Sequence, residues 1–442
     1  MSPPLTAVPH DPALPAAADA VVIGGGIVGA AAAYYLARRG HSVALLEKGR
    51  VAAEQSSRNW GWCRQLNRDE RELPLVIRSL DLWAGLDREI GADLGFRRSG
   101  LVYVTRDAAE MARWEAWAGM ARQYQVQTRI LSAEDARRRT PGAIGDWIGG
   151  IESPTDGRAE PAMAGPALAA AARALGATVH QECAARALET EGGRVSAVIT
   201  ERGTIRTKRV LCAGGAWSSM FCRHHGINLP QAGVRSTAFA TTAAPDLTPG
   251  GLSLPGLTLR RRLDGGYTVA LRGRGTIELT PQGLRYGLRM WKLFQARREG
   301  GVSLRLGRSF IEGPETMARW SADQVTPFER VRVLDPAPDP GIIRAGMQAL
   351  RAYYPAMTQL RPAQAWAGWI DHMPDAIPTI SPVAALPGFY LATGFSGHGF
   401  GIGPAAGHLA ADLMTGDAPI VDPTPFRYDR LFDGTMGPVG PI

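Results

Sequence analysis

Between Ala20 and Leu46 two short apolar runs enclose an alanine-rich stretch of helical length. The first run stops at three glycines, the alanine-rich stretch continues to Arg39, and Gly40 follows as a C-cap. The second run, Ser42 to Leu46, leads to Glu47, so the pattern predicts strand, helix, strand. Further along, 73–90 and 107–124 read as helices, and 99–105 ("SGLVYVT") reads as a strand that breaks simple βα alternation. A turn at Asp156-Gly157 precedes an alanine-rich helix and a return strand. A hairpin follows, ending in an apolar strand, Val210 to Cys212, that runs into Ala213-Gly214-Gly215-Ala216-Trp217. Residues 229–350 alternate β-like runs with Gly/Pro breaks around a helical insert near 285–299, which predicts a mostly antiparallel region. Phe389 to Thr393 reads as a strand, and Pro404 suits the first turn of a helix running to about Met414.

Bulk properties narrow the class. A chain of 442 residues exceeds one ordinary core, and 45% hydrophobic with 20% charged residues describes a globular protein. The formal net charge is +8, carried almost wholly by arginine, since Lys48, Lys208 and Lys292 are the only lysines. The arginines are scattered, and runs such as Arg137-Arg138-Arg139 read as solvated helix faces, so nucleic acid is not an expected partner. The excess of arginine favours anionic substrates. Cys63, Cys183, Cys212 and Cys222 show neither C-x-x-C nor metal-ligand spacing, so no metal is expected and a reducing cytoplasm fits. Residues 1–19 read as a loose Pro/Ala-rich tail without the basic region of a signal peptide. Residues 20–37 carry no charge, but their three consecutive glycines argue against a transmembrane segment.

Gly24, Gly26 and Gly29 form G-x-G-x-x-G at the first strand–helix junction, with Ile27 and Val28 opening the helix. The first glycine makes the turn, the second admits a pyrophosphate to the backbone, and the third lets helix pack on strand. The helix N-terminus then offers N–H donors and the positive end of its dipole. Glu47, 18 residues beyond Gly29, is placed to accept from a ribose diol and to repel a 2′-phosphate. No second such motif occurs, so one adenine dinucleotide is expected. A second glycine-rich stretch, "LATGFSGHGFGIGPAAG" (391–407), marks another close approach of backbone to a ligand or neighbour.

Together the segments "VVIGGGIVGAAAAYYLARRGHSVALLEK", "SSRNWGW", "TDGRAEP", "VLCAGGAWS", "WAGWIDHMPDAIPTISP" and "TGFSGHGFGIGPAAG" resemble the flavin-dependent amine and amino-acid oxidoreductases of the D-amino-acid-oxidase superfamily. The resemblance spans 20–415. It implies an α/β fold: a Rossmann-type FAD-binding domain discontinuous in sequence (20–70, 150–222 and 365–415), and an α+β substrate domain on a mostly antiparallel sheet (71–149 and 223–364). A C-terminal extension, 416–442, follows. The FAD contacts it implies are Gly24, Gly26, Ile27, Val28, Gly29, Glu47 and Lys48; then Ser56, Ser57, Asn59, Trp60 and Gly61; then Ala185, Ala213, Gly214 and Trp217. Gly394, Ser396, Gly397, His398, Gly399 and Phe400 complete the set as a loop facing the flavin's pyrimidine end, where donors and a helix dipole stabilise negative charge.

The implied activity is oxidation of a C–N bond in an amino acid or amine to an imine. Candidate substrate contacts are His398, Arg64, Trp366 and Tyr267. Residues 223–442 contain no Cys, so the family's covalent flavin link near the last glycine loop is ruled out and FAD is expected to be noncovalent. "W-A-G" at 366–368 is followed by Trp369, Ile370 and Asp371, without the carboxylate-binding Arg of glycine-oxidase-like members. Arg64, Arg272 and Arg344 are the alternative carboxylate anchors. For an amine, Trp62, Trp366, Trp369, Tyr267, Tyr353 and Tyr354 are candidate walls. The lysines some oxidases carry after G-H-G-F, and on the strand that here reads "GGYTVALRG", are also missing, leaving oxygen or a quinone-type carrier as acceptor. Two other readings remain open at this stage: a hydroxy-acid or glycerol-phosphate dehydrogenase of the same fold, and a flavin subunit of a hetero-oligomer.

Overall fold

β1 (Ala20–Ile23), α1 (Ile27–Arg38) and β2 (Val43–Leu46) form the expected strand–helix–strand unit. The structure, a computed structural model, describes residues 3–299 and 301–441. β1 and β2 run parallel with Val21 opposite Ala44 and Ile23 opposite Leu46. Both are runs of Val, Ala, Leu and Ile, as strands covered on both faces require. The helices α2 (Leu73–Ile90) and α3 (Pro161–Ala174) follow, and β3 (Thr178–His180) and β4 (Val210–Cys212) join the same sheet. β5 (Ala232–Thr241), α4 (Pro281–Glu299) and β6 (Pro362–His372) belong to the second half. β7 (Thr379–Pro382), β8 (Phe389–Thr393) and α5 (Gly399–Thr415) return to the first. The first sheet runs β7-β8-β4-β1-β2-β3, parallel except for the β7–β8 edge. Helix α1 packs against both α3 and α5. Ala30 to Ala33 have no exposed surface there, and only small side chains allow three helices that close an approach.

The second sheet has ten strands, all antiparallel neighbours except two parallel pairs: Gly251–Leu254 with Leu101–Thr105, and Gly275–Leu279 with Val302–Leu306. Its longest pairing joins β5 and β6, from Ala232 opposite His372 to Thr241 opposite Pro362. This is the Rossmann-type unit with a mostly antiparallel α+β partner that the resemblance implies.

Several expectations change. Strand Gly149–Ser153 pairs with Leu101–Thr105, and β6 pairs with β5, so both sit in the antiparallel sheet rather than in the FAD-binding segments drawn from 150 and 365. Residues 3–19 lie along the surface instead of forming a loose tail: Asp11 takes Arg173 at 2.8 Å and the Val179 amide at 2.9 Å. The C-terminal extension is anchored by buried Arg430, whose Nε lies 3.0 Å from Asp375. Pro404 falls inside α5, which begins at Gly399. Tertiary contacts override the helix-breaking composition, because Ser79 Oγ and Trp83 Nε1 from α2 donate to the Gly401 carbonyl at 2.8 and 2.9 Å.

Candidate active site

A cavity of about 330 Å³ lies where the two sheets meet, and both glycine-rich segments line it. Gly24, Gly26, Ile27, Val28, Glu47 and Lys48 contribute to its wall, as do Ser56, Asn59, Trp60 and Arg64. Ala185, Ala213, Gly214 and Trp217 form another stretch, and Ser396, Gly397, His398, Gly399 and Phe400 a third. Gly29, Ser57, Gly61 and Gly394 do not reach the wall.

At the first glycine turn, Gly24 has φ +105°, and a Cβ there would stand 2.4 Å from the Ala213 carbonyl, so the β1–α1 and β4 turns touch only because no side chain intervenes. A Cβ on Gly26 would meet just Ser56 Oγ, at 3.0 Å, which leaves the loop backbone bare to the cavity. Glu47 binds the loop itself: Oε2 accepts from Gly25 N at 2.8 Å and Oε1 from Gly49 N at 2.7 Å. Each oxygen keeps a lone pair for a further donor. Burial raises the Glu47 pKa, while Lys48 and these amides oppose the shift. Lys48 is tied up structurally, donating to Glu54 at 2.7 Å and to the Val331 and Arg332 carbonyls, and lying 4.4 Å over the Trp217 ring. Glu54 also accepts from Trp217 Nε1 and from Leu334 N; no sequence signal marks it, since it is a single acid in a polar loop.

The polar loop after it is shaped by Asn59, whose Oδ1 accepts from Gly61 N at 2.7 Å and whose amide donates to Ser56 O at 2.8 Å. Trp60 and Trp62 meet edge to face at 5.3 Å. Trp366 and Tyr267 do not line the cavity. Trp366 is buried behind it, donating to Arg58 O at 2.9 Å among Ala238, Ala240 and Ala270. The Tyr267 hydroxyl accepts from Leu247 N at 2.7 Å inside the core of the antiparallel sheet. Tyr354 also belongs to that core and half-buried Tyr353 packs against it, whereas Trp62 and Trp369 do line the cavity.

The late glycine loop is pinned to the end of β6. Ser396 N donates to Asp371 O, Gly394 N to Asp371 Oδ2, and Met373 N to Ser396 Oγ, at 2.9, 2.9 and 3.2 Å. Ser396 itself takes φ +52°, a conformation held by these three bonds. Burial lifts the Asp371 carboxyl to about 6. Beside the loop, His398 Nδ1 lies 2.9 Å from Oε2 of Glu72, which is wholly buried at the start of α2. Burial, with help from the Arg68 charge, brings His398 down to about 4, so its imidazole is neutral at pH 7, with Nδ1–H donated to Glu72 and Nε2 left as the acceptor. Arg64, Arg68 and Arg272 are on the wall; Arg272 pairs with Glu110, and Arg64 donates to the Leu66 carbonyl. Arg344 lies elsewhere, in a surface depression with Met347 and Arg351. Among the described residues no His, Cys, Asp or Glu cluster is arranged to hold a metal ion, and no helix is long and apolar enough to cross a membrane.

A family model described as FAD dependent oxidoreductase matches residues 19–413. The chain belongs to this FAD-dependent oxidoreductase family. It is 27% identical over 420 residues to glycine oxidase from Pseudomonas aeruginosa, covering 92% of this chain and 97% of that one. It is 24% identical to D-amino acid dehydrogenase from Bradyrhizobium diazoefficiens, covering 93% and 98%. A solved structure of L-amino acid deaminase from Proteus myxofaciens, in complex with anthranilate, superposes with a TM-score of 0.91 at 32% identity over 97% of both chains. This oxidoreductase uses FAD, and its cavity suits that group: the bare Gly26 backbone and the α1 N-terminus suit a pyrophosphate, and Glu47's remaining lone pairs suit a ribose diol.

Proposed function

We propose that this FAD-dependent oxidoreductase oxidises the C–N bond of an amino acid or N-methyl amino acid to an imine, which water then hydrolyses. FAD, when bound, supplies the two-electron acceptor for hydride leaving the carbon beside the nitrogen. The nitrogen lone pair becomes the new C=N bond, so the amine must be unprotonated when the hydride leaves. His398, held neutral and in one tautomer by Glu72, offers Nε2 as an acceptor for an N–H of that amine. With its pKa near 4 it orients the amine rather than storing a proton at neutral pH. Asp371, accepting from Gly394 N, holds in place the loop that would face the flavin.

The observation that carries this reading is that the cavity lined by both glycine segments is also lined by arginines. Arg64 is our anchor for the substrate carboxylate, because Arg272 already has Glu110 as its counter-ion. The relatives named above act on amino acids, which supports the same class. The electron acceptor is oxygen or a quinone-type carrier.

The test is anaerobic mixing of the yellow holoenzyme with D-, L- and N-methyl amino acids, and with glycerol phosphate and hydroxy acids in parallel. Loss of the oxidised-flavin band with amino compounds alone is expected, and its return on admitting air identifies oxygen as an acceptor. Bleaching by glycerol phosphate or a hydroxy acid, with no amine active, would overturn the assignment.

A further inference from the structure

Helix α4 delivers Arg297 to the cavity wall. The guanidinium donates through Nη2 to His372 Nε2, its Nε is buried without a hydrogen-bond partner, and no carboxylate pairs with it among the described residues. His372 donates Nδ1–H to the Ile370 carbonyl at 3.0 Å, so it meets Arg297 as a neutral acceptor and brings no charge. Several other buried or cavity-wall cations have a carboxylate: Arg58 has Asp335, Arg260 has Glu160, Arg272 has Glu110 and Arg430 has Asp375. Arg68, on the same wall, also has no salt-bridge partner among the described residues and leaves Nη1 without a hydrogen bond. Burial brings Arg297 down to about 10, which leaves it charged at neutral pH. A buried charge that lacks a counter-ion is stabilised when one arrives.

The surroundings repeat the same sign. Arg64 and Arg68 enter the same cavity from the loop preceding α2 and disfavour protonation of His398; Arg297 does the same to His372, as does His398. Cations from two separate elements thus flank a neutral histidine pair. A single α-carboxylate at Arg64 would leave Arg297 unanswered.

We infer that Arg297 binds a second carboxylate of the substrate, so that the amino or imino acid oxidised here is dicarboxylic, with one carboxylate at Arg64 and the other at Arg297. This rests on the reading of the cavity as an amino-acid oxidation site. A planar guanidinium matches a carboxylate fork.

The holoenzyme is titrated with malonate, succinate and glutarate, and with acetate, propionate and butyrate, following the change each produces in the flavin spectrum. Reduction by aspartate, glutamate and iminodiacetate is compared anaerobically with reduction by alanine and sarcosine. The best dicarboxylate should bind roughly ten- to a hundredfold more tightly than its monocarboxylate counterpart, the range of a charge-assisted hydrogen bond. R297Q should bring that ratio near one while monocarboxylate affinity stays within about twofold, and R297K should keep part of it. A wild-type enzyme without dicarboxylate preference, or an R297Q that retains it, overturns the inference; if R297Q does not fold, the wild-type series and R297K decide. Preference for dicarboxylates that is lost in R297Q, with no amine bleaching the flavin, would uphold Arg297 and sink the C–N assignment. Bleaching by monocarboxylic amino acids, with equal KM in wild type and R297Q and no dicarboxylate preference, would do the reverse.

Discussion

Glu47→Gln tests the dinucleotide end of the cavity with a change of one atom. The carboxylate accepts from Gly25 N at 2.8 Å through one oxygen and from Gly49 N at 2.7 Å through the other. Glutamine has a single acceptor oxygen, so its NH2 must face one of these amides, donor against donor. One charge-assisted bond disappears and one N–H in the glycine turn loses its partner, together about 1.5–3 kcal/mol. If that loss falls on the conformation that receives FAD, affinity drops roughly ten- to a hundredfold. The assay is titration of flavin-stripped protein with FAD, followed by quenching of flavin fluorescence, across a range of pH. Burial has raised the Glu47 pKa, so its ionised form is lost at a less acid pH than for an ordinary glutamate. Wild-type affinity should therefore fall as pH drops through that raised value, while E47Q, already uncharged, stays flat. An E47Q protein binding FAD within about twofold of wild type, with the same pH profile, would refute the role given to this carboxylate.

Other outcomes follow from groups behind the wall. Tyr267→Phe should cost about 1–3 kcal/mol in denaturant unfolding, because Leu247 N loses its buried acceptor. It should leave kcat/KM unchanged, and a selective rise in KM would return Tyr267 to the substrate site. Glu315, 4% exposed and accepting from Thr280 Oγ1 at 2.7 Å, is lifted by burial to about 7 from an ordinary 4.5. The folded protein thus holds that proton more tightly than the unfolded chain does. Its contribution to stability is complete below about pH 4.5 and is lost as pH rises through about 7. E315Q should lack this decline and unfold at higher denaturant than wild type at pH 8, by at most ~3 kcal/mol; parallel pH dependences for the two proteins would contradict the shift.

What could be read from the chain was whatever a local backbone constraint writes into it. Gly24 must turn at φ +105° against Ala213, and Gly394 and Gly397 also take positive φ, so glycine had to stand at these places in any arrangement that brings the turns together. The acidic residue after β2 and the strand–helix periods follow for the same short-range reason. Aromatic residues carried no such information: Tyr267 lies on a strand buried at every position, where period two does not separate wall from core. Glu54 stands alone in a polar loop and Glu72 closes the charged run Asp69-Glu70-Arg71-Glu72; neither belongs to a motif, and they become partners of Lys48 and His398 only through the fold. Arg297 was hidden by its company, since Arg285, Arg289, Lys292 and Arg298 make the helix look like an ordinary solvated cationic face. Pro404 misled because a proline usually opens a helix, and the two α2 side chains that hold the preceding turn come from more than 300 residues earlier.

The strand β6 behaves as a fixed-length strut. At one end it is stitched into β5, and at the other Asp371 and Met373 grip the loop that carries His398. At about 3.3 Å per residue the spacing between those ends is set by covalent geometry, and each added or deleted residue would turn the following side chains to the opposite face. Evolution can therefore exchange the charges around the chamber one at a time and redirect the chemistry to new molecules, yet it cannot lengthen or shorten this strut without dismantling the chamber.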